Sequence, residues 1–306
     1  MDPFPALGLR RLALSHAGEL VPFFERFPQP LSGYTTGMLA AWDPVFHYSW
    51  ARPEPDAVVI SCLVEPDSNR HLIQPVGTLS PTLQADLVAG AARLPYALKI
   101  YGVCERFLAD YPHLVERFEV VEEPIASNYI YSAEDLALLA GRKFAAKRNH
   151  IAQAAREFQW SVEPLKAGDA DEAVALARAL FEESSKNVSL ARDVLACEVA
   201  LRNLEVLHLR GTGIRVQGKI IAFALWEALH KTTAVVHFER AVRNLKGAYQ
   251  IVNQETAKVM LKDGIQFINR EEDLGDPGLQ KAKQSYHPVR IEKAFTLTFR
   301  RAQVSA

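Results

Sequence analysis

The sequence predicts an α/β fold with mixed sheets, arranged in two parts. Two observations carry this prediction. Short apolar runs rich in Val, Ile and aromatic residues alternate with segments that carry helix-start signals. The second part also contains three consecutive strand-like runs with no helix between them, "GIRVQGKIIAFALWEALHKTTAVVHFERA". At 306 residues the chain is long enough for one large or two mid-sized domains. With 49% hydrophobic and 23% charged residues it has the composition of a soluble globular protein. A net charge of −1 excludes a surface coated in basic charge for nucleic acid and leaves room only for a local basic patch.

No apolar run approaches the ~18 residues of a membrane helix, so no transmembrane segment is expected. The opening "MDPFPALGLRR" has no basic stretch ahead of an apolar core, and no signal peptide is read there. Cys62, Cys104 and Cys197 are isolated in apolar surroundings. Three lone thiols fit buried core positions and a reducing, cytoplasmic setting better than a disulfide framework.

Taken in order, Asp56–Val64 and Arg70–Gly77 read as paired strands around a polar turn, Glu65–Asn69. Ser80 followed by Pro81 starts a helix running to Leu94. "ALKIYGVC" is then a strand, "ERFLADYPHL" a short helix and "RFEVVEE" a strand. A long helix is expected over 132–159, opened by Ser132 with Asp135 three residues on. Beyond it come the strand "WSVEPLKA", a helix capped by Asp169 or Asp171, and a helix over "SLARDVLACEVALRNLEVL". The three strands follow, the first two joined at Gln217-Gly218. A helix ending at Gly264, the strand "IQFIN", the helix "GLQKAKQSY" and a closing strand "VRIEKAFTLTF" complete the chain.

That order in the second part matches the topology of the GNAT acyltransferases, and the first part reads as a degenerate version of it. The expected division is a GNAT-like domain over 1–131, a connecting helix over 132–159 and a GNAT domain over 160–306.

Three stretches carry a more specific likeness: "NYIYSAEDLALLAGRKFAAKRNHI", "VVHFERAVRNLKGAYQIVNQETA" and "INREEDLGDPGLQKAKQSYHPVRIEKAF". With "LSGYTTGMLAAW" near the start, the chain resembles the phosphatidylglycerol lysyltransferase C-terminal domain family over nearly its whole length. The resemblance implies a tandem GNAT fold and an acyltransferase, with aminoacyl-tRNA as donor and an amine, hydroxyl or lipid-headgroup acceptor. Two features depart from that pattern. The lipid-modifying members carry a multi-helix membrane portion before this domain, and none is read here. GNAT enzymes hold the acetyl-CoA pyrophosphate on an Arg/Gln-x-x-Gly-x-Gly/Ala loop. Here "RNLKGA" offers Arg243, Gly247 and Ala248 but has Lys246 at the middle glycine. Acyl-CoA therefore stands as the alternative donor, and a non-catalytic anion-binding module as the reading from another class.

The candidate residues follow. Lys143, Lys147 and His150 are spaced to stack on one helix face, with Arg148 and Asn149 beside them, as a phosphate-binding stripe or a solvated face. Asn149 reads equally as a buried structural amide. His237 and Glu239, two apart on a strand, share a face, but no clustered spacing among the nine histidines argues for a metal. Glu239 is a candidate to hold or deprotonate an amine, or the partner of Arg240 or Arg243. "INREEDLGDPGLQKAKQSYHP" gathers Asn269, Arg270, Glu271, Glu272, Asp273, Lys281, Lys283 and Tyr286. Acyl transfer needs a proton acceptor and a proton donor. Glu271 or Asp273 fits the first role and Tyr286 the second, in one cleft with Glu239. In the structural alternative, Lys281 and Lys283 pair with the acids in a solvated turn.

Overall fold

Ser80, with Pro81 behind it, illustrates how local chemistry sets the elements: its hydroxyl accepts from Leu83 N at 3.1 Å and opens a 13-residue helix. The structure, a computed structural model, describes residues 4–64, 69–184 and 188–301. The predicted turn Glu65–Asn69 lies outside the described residues except for Asn69.

In chain order the first half contains β1 (Arg10–Arg11), α1 (Ala17–Arg26), α2 (Thr36–Phe46), β2 (Ser49–Glu54), β3 (Ala57–Leu63), β4 (Arg70–Ile73) and β5 (Val76–Gly77). It continues with α3 (Pro81–Arg93), β6 (Lys99–Cys104), α4 (Glu105–Asp110), α5 (Pro112–Val115) and β7 (Phe118–Glu122). The second half holds β8 (Asn128–Ser132), α6 (Ala133–Leu138), α7 (Ala145–Glu157), β9 (Ser161–Pro164), α8 (Ala170–Glu182) and α9 (Val188–Arg202). Then follow β10 (Arg210–Val216), β11 (Lys219–His230), β12 (Thr233–Ala241), α10 (Ala248–Lys262), β13 (Phe267–Asn269), α11 (Pro277–Gln284), β14 (Arg290–Glu292) and β15 (Ala294–Phe299).

The described residues form two sheets. The first runs β1-β2-β3-β4-β6-β15-β7, with β5 beside β3; the second runs β14-β8-β13-β12-β11-β10-β9. Each contains one parallel pair, β4 with β6 and β12 with β13, among antiparallel neighbours. The mixed α/β architecture is the one expected. The hairpin between β10 and β11 turns on Gln217 and Gly218, both at positive φ (51° and 79°), the pairing that matches strand twist. Cys62, Cys104 and Cys197 are all free and buried.

Sheet membership does not follow the expected division at 132–159. β8, from the segment before it, pairs with β13 and β14 of the second sheet. The closing segment divides instead of finishing the second sheet. Its first part, β14, pairs with β8, while β15 crosses into the first sheet and lies between β6 and β7.

The expected long helix is also absent as one piece. Ser132 does cap a helix, accepting from Asp135 N at 3.2 Å, but α6 ends at Leu138. Leu139 takes a left-handed conformation (φ 48°) and Gly141 follows at φ 81°; a 3₁₀ turn, Arg142–Phe144, leads into α7. Burial explains the break: Leu139 and Phe144 are both fully buried (0% exposed), and an unbroken helix would turn them about 140° apart, onto different faces.

Candidate functional site

The parallel strands β12 and β13 pair only as far as Val235 and Asn269. Beyond that point each strand carries its own polar residues, and the space between them collects the site. In β12 a bulge sits where the register with β11 shifts: Leu225 faces Phe238 but Trp226 faces Val236. His237 is thus left without a register partner, and a bulge re-aims its side chain. The His237 ring is 1% exposed and lies between two carboxylates, Nδ1 at 2.7 Å from Glu271 Oε1 and Nε2 at 2.8 Å from Glu227 Oε1. Burial disfavours the imidazolium, but hydrogen bonds to Glu227 and Glu271 outweigh it and hold the pKa at about 10. Glu227 in turn abuts α2 at Gly37, where a Cβ would stand 2.5 Å from its Oε1; only glycine admits that approach.

Glu271 is not a free base. Its backbone is left-handed (φ 58°), its N–H donates to Asn269 Oδ1 at 2.8 Å, and its carbonyl accepts from Tyr129 N at 3.1 Å. Asn269 is wholly buried and donates to Asn128 Oδ1 at 2.9 Å, which also accepts from Ser32 N of the first half at 2.8 Å. The Glu272 carboxylate accepts one long hydrogen bond among the described residues, from Asn128 Nδ2 at 3.4 Å. Burial, then the neighbouring Glu271 charge, raises its carboxyl to about 7.

Glu239, near the end of β12, accepts from Arg270 Nη2 at 3.0 Å. The Asn253 carboxamide, oriented by the network with its oxygen to the guanidinium, accepts from Arg270 at 3.1 Å. Arg270 lies 5.1 Å from the Tyr286 ring centre, and Lys147 Nζ lies 4.0 Å from it while donating to Ser285 Oγ at 2.6 Å. Tyr286 is buried (6% exposed), and burial pushes its phenol up to about 12. Among the described residues no group hydrogen-bonds its hydroxyl. Burial, followed by repulsion from Arg270, lowers Lys147, and the same pair of causes lowers Lys283 to about 8. Glu239, Arg270, Glu271, Lys147, Lys283 and Tyr286 are thus one neighbourhood.

Other predicted residues fall elsewhere. Asp273 is buried away from Glu239, accepting from the Tyr129 hydroxyl at 2.6 Å and from Gly275 N at 2.9 Å, so it shapes the turn before α11. Lys283 does not pair with the acids; it donates to the carbonyl oxygens of Arg270 and Glu271. Lys281 is exposed on α11. The basic stripe is dissolved by the break before α7. Lys143 sits in the 3₁₀ turn and pairs with Asp135 at 2.7 Å. Arg148 donates to the carbonyls of Leu139 and Gly141, closing the end of α6, and Asn149 is exposed rather than a buried amide. The Arg243–Ala248 loop does open α10. Gly247 is left-handed there (φ 92°), and a Cβ on it would meet His150 O at 2.7 Å, so α7 closes that side of the loop. Arg243 reaches only Glu183 O at 3.4 Å, and Lys246 is exposed.

Sequence reasoning missed Glu227 and Asn128. A signal for Glu227 existed: it is the one acid inside the otherwise apolar run "IIAFALWEAL". A buried strand carrying a lone carboxylate needs a partner.

The family model described as phosphatidylglycerol lysyltransferase, C-terminal, matches residues 24–298. No curated protein matches the chain. Among solved structures, a conserved protein of unknown function from Bacteroides thetaiotaomicron superposes with a TM-score of 0.87 at 28% identity, covering 96% of this chain and 100% of that one. L-PGS from Bacillus licheniformis gives 0.65 at 14% identity, over 94% and 92%. The C-terminal domain of a putative lysylphosphatidylglycerol synthetase from Agrobacterium fabrum gives 0.64 at 14%, over 94% and 92%. FemX gives 0.61 at 10%, over 92% and 95%. These last three likenesses establish the shared fold. Among the described residues no helix is long and apolar enough to cross a membrane.

Proposed function

The chain belongs to the phosphatidylglycerol lysyltransferase C-terminal family, and from that premise we propose that it is an acyltransferase moving an aminoacyl group from aminoacyl-tRNA to an amine or hydroxyl acceptor. The observation that carries the chemistry is Tyr286: a buried phenol, kept protonated by burial, with an unbonded hydroxyl beside the Arg270–Glu239 pair. In the reaction the acceptor O or N bonds to the acyl carbon and the ester bond to the ribose oxygen breaks. Glu239 takes the acceptor's proton, and Tyr286 gives one to the departing oxygen. Arg270 and Lys147 supply positive charge where the carbonyl oxygen becomes an oxyanion. Glu271 is a positioning residue, since its carboxylate is spent on His237. The acceptor is a small molecule or lipid headgroup, and the setting is cytoplasmic.

The test is to incubate purified protein with labelled aminoacyl-tRNA and a panel of amine and hydroxyl acceptors, following loss of the ester and transfer of label. Tyr286→Phe should slow turnover by ~10²–10⁴-fold, the span typical of a lost proton donor. Turnover of acyl-CoA with aminoacyl-tRNA left intact would overturn the donor assignment. Anion binding with no turnover of either would overturn the enzyme reading.

A further inference from the structure

The first half has its own opening beyond a parallel pair. β4 and β6 run side by side as far as Ile73 and Tyr101, and a cavity of about 280 Å³ opens past their carboxyl ends. In open α/β sheets the crevice outside the carboxyl ends of parallel strands is where ligands bind. Its floor is built from two buried amides: Gln74 (1% exposed) donates through Nε2 to Gln29 Oε1 at 2.8 Å and accepts from Cys104 N at 2.9 Å. Phe27 and Phe107 contribute apolar wall, and Arg106 and Asp110 line the same space.

Those last two residues decide the ligand class. Arg106 and Asp110 stand four apart on α4, where side chains are neighbours, yet they form no ion pair. Arg106 is held off by two contacts from one nitrogen, Nη2 to Pro28 O at 2.8 Å and to Gln29 Oε1 at 3.1 Å. Nε and Nη1 of the Arg106 guanidinium, and the Asp110 carboxylate, have no partner among the described residues. The cavity's other cation, Arg26, is already matched by Asp56 at 2.9 Å. A cation and an anion that share a cavity and do not meet each other complement a molecule carrying both charges a few bonds apart.

We propose that this cavity binds a small zwitterion of the α-amino-acid class, its carboxylate on the free Arg106 N–H groups (Nε or Nη1) and its ammonium on Asp110. A charge-assisted hydrogen bond at each end of the ligand fixes its orientation as well as its charge. A free amino acid carries no nucleotide, so this ligand is distinct from a tRNA-borne donor.

Calorimetric titration of the full chain with L-alanine and L-lysine tests it, with acetate and methylammonium as half-ligand probes. Amino acids should bind, and each half-probe should bind at least about tenfold more weakly. Arg106→Gln and Asp110→Asn, both exposed changes, should each weaken amino-acid binding by about tenfold or more. Lys143→Ala, an exposed change in the other half, should leave it unchanged. Absence of amino-acid binding, or binding that survives both first-half substitutions, would overturn the proposal. Acetate binding as tightly as alanine, with Asp110→Asn silent, would overturn it in favour of a simple anion site.

Discussion

The two parallel strand pairs are built alike and filled in opposite ways. Between β4 and β6 the gap is bridged by neutral groups. Gln74 spans to Cys104 N, and the Tyr34 hydroxyl donates to Gly102 O at 2.7 Å and accepts from Gln74 N at 3.1 Å. Between β12 and β13 the corresponding gap is filled by Glu239, Arg270, His237, Glu271 and Lys283. A carboxamide has both a donor and an acceptor and can close a ladder by itself. A buried charge cannot, and each one requires another. The second gap therefore grew into a network reaching Glu227 and Asn128, whereas the first stayed local. What separates the charged network from the neutral bridge here is the type of side chain, since the backbone topology is shared.

Substitutions can break that comparison, and the largest expected effect lies in the charged gap. Glu239→Gln should cost about 2–3 kcal/mol of stability, because it takes the carboxylate from the largely buried Arg270 guanidinium and leaves it the Asn253 oxygen. Tyr286→Phe, by contrast, should leave the denaturation midpoint nearly unchanged while abolishing most turnover, since its hydroxyl has no hydrogen-bond partner to lose among the described residues. Equal destabilisation by the two would mean that Tyr286 is only packing.

The next effect is pH dependence. His237 has a folded pKa of about 10 against an ordinary value of 6.5. The group binds more protons folded than unfolded, so its stabilisation is complete below about pH 6.5 and is lost as pH rises toward 10. Thermal melts from pH 6 to 10 should decline by on the order of a few kcal/mol in stability, and His237→Gln should flatten that decline. Lys283, lowered to about 8, works in the opposite sense above that pH, so the difference between parent and variant is the informative quantity.

Gln74→Leu probes the neutral gap. It strands Cys104 N, removes one of the two donors to Gln29 Oε1, and should cost about 1–3 kcal/mol by chemical denaturation, with no change in turnover per folded molecule. A loss of turnover as large as that of Tyr286→Phe would erase the distinction between the gaps. Smallest of all, Lys143→Ala should cost at most about 1 kcal/mol, because the Lys143–Asp135 pair is exposed.

Legibility in the sequence followed how local each cause was. Ser80-Pro81, Ser132 and Gln217-Gly218 act within a few residues, and each could be read before any fold was known. Leu139 could not, because nothing in its neighbours forbids a helix; burial of Phe144 against the second core breaks it. Alternation in "AFTLTF" marks a strand but cannot say which sheet receives it. For the candidate site, the stretch 269–286 was visible as a concentration of charge. Its internal division was not: Asp273 and Glu271 look alike in sequence. Only the partners, Tyr129 for one and His237 for the other, separate a turn-forming acid from an acid in the network.

The placement of β15 has a consequence for how the protein is made. During synthesis the first half emerges early with β6 and β7 apart, since the strand that joins them is encoded at residues 294–299. Domains usually fold in the order they leave the ribosome. Here the earlier sheet must wait, with the flanks of β6 and β7 unpaired, until the later one is nearly complete. Ribosome-stalled chains ending short of residue 294 should accordingly remain protease-sensitive in the first half, and a cell making this protein must shield two open strand edges for most of its translation.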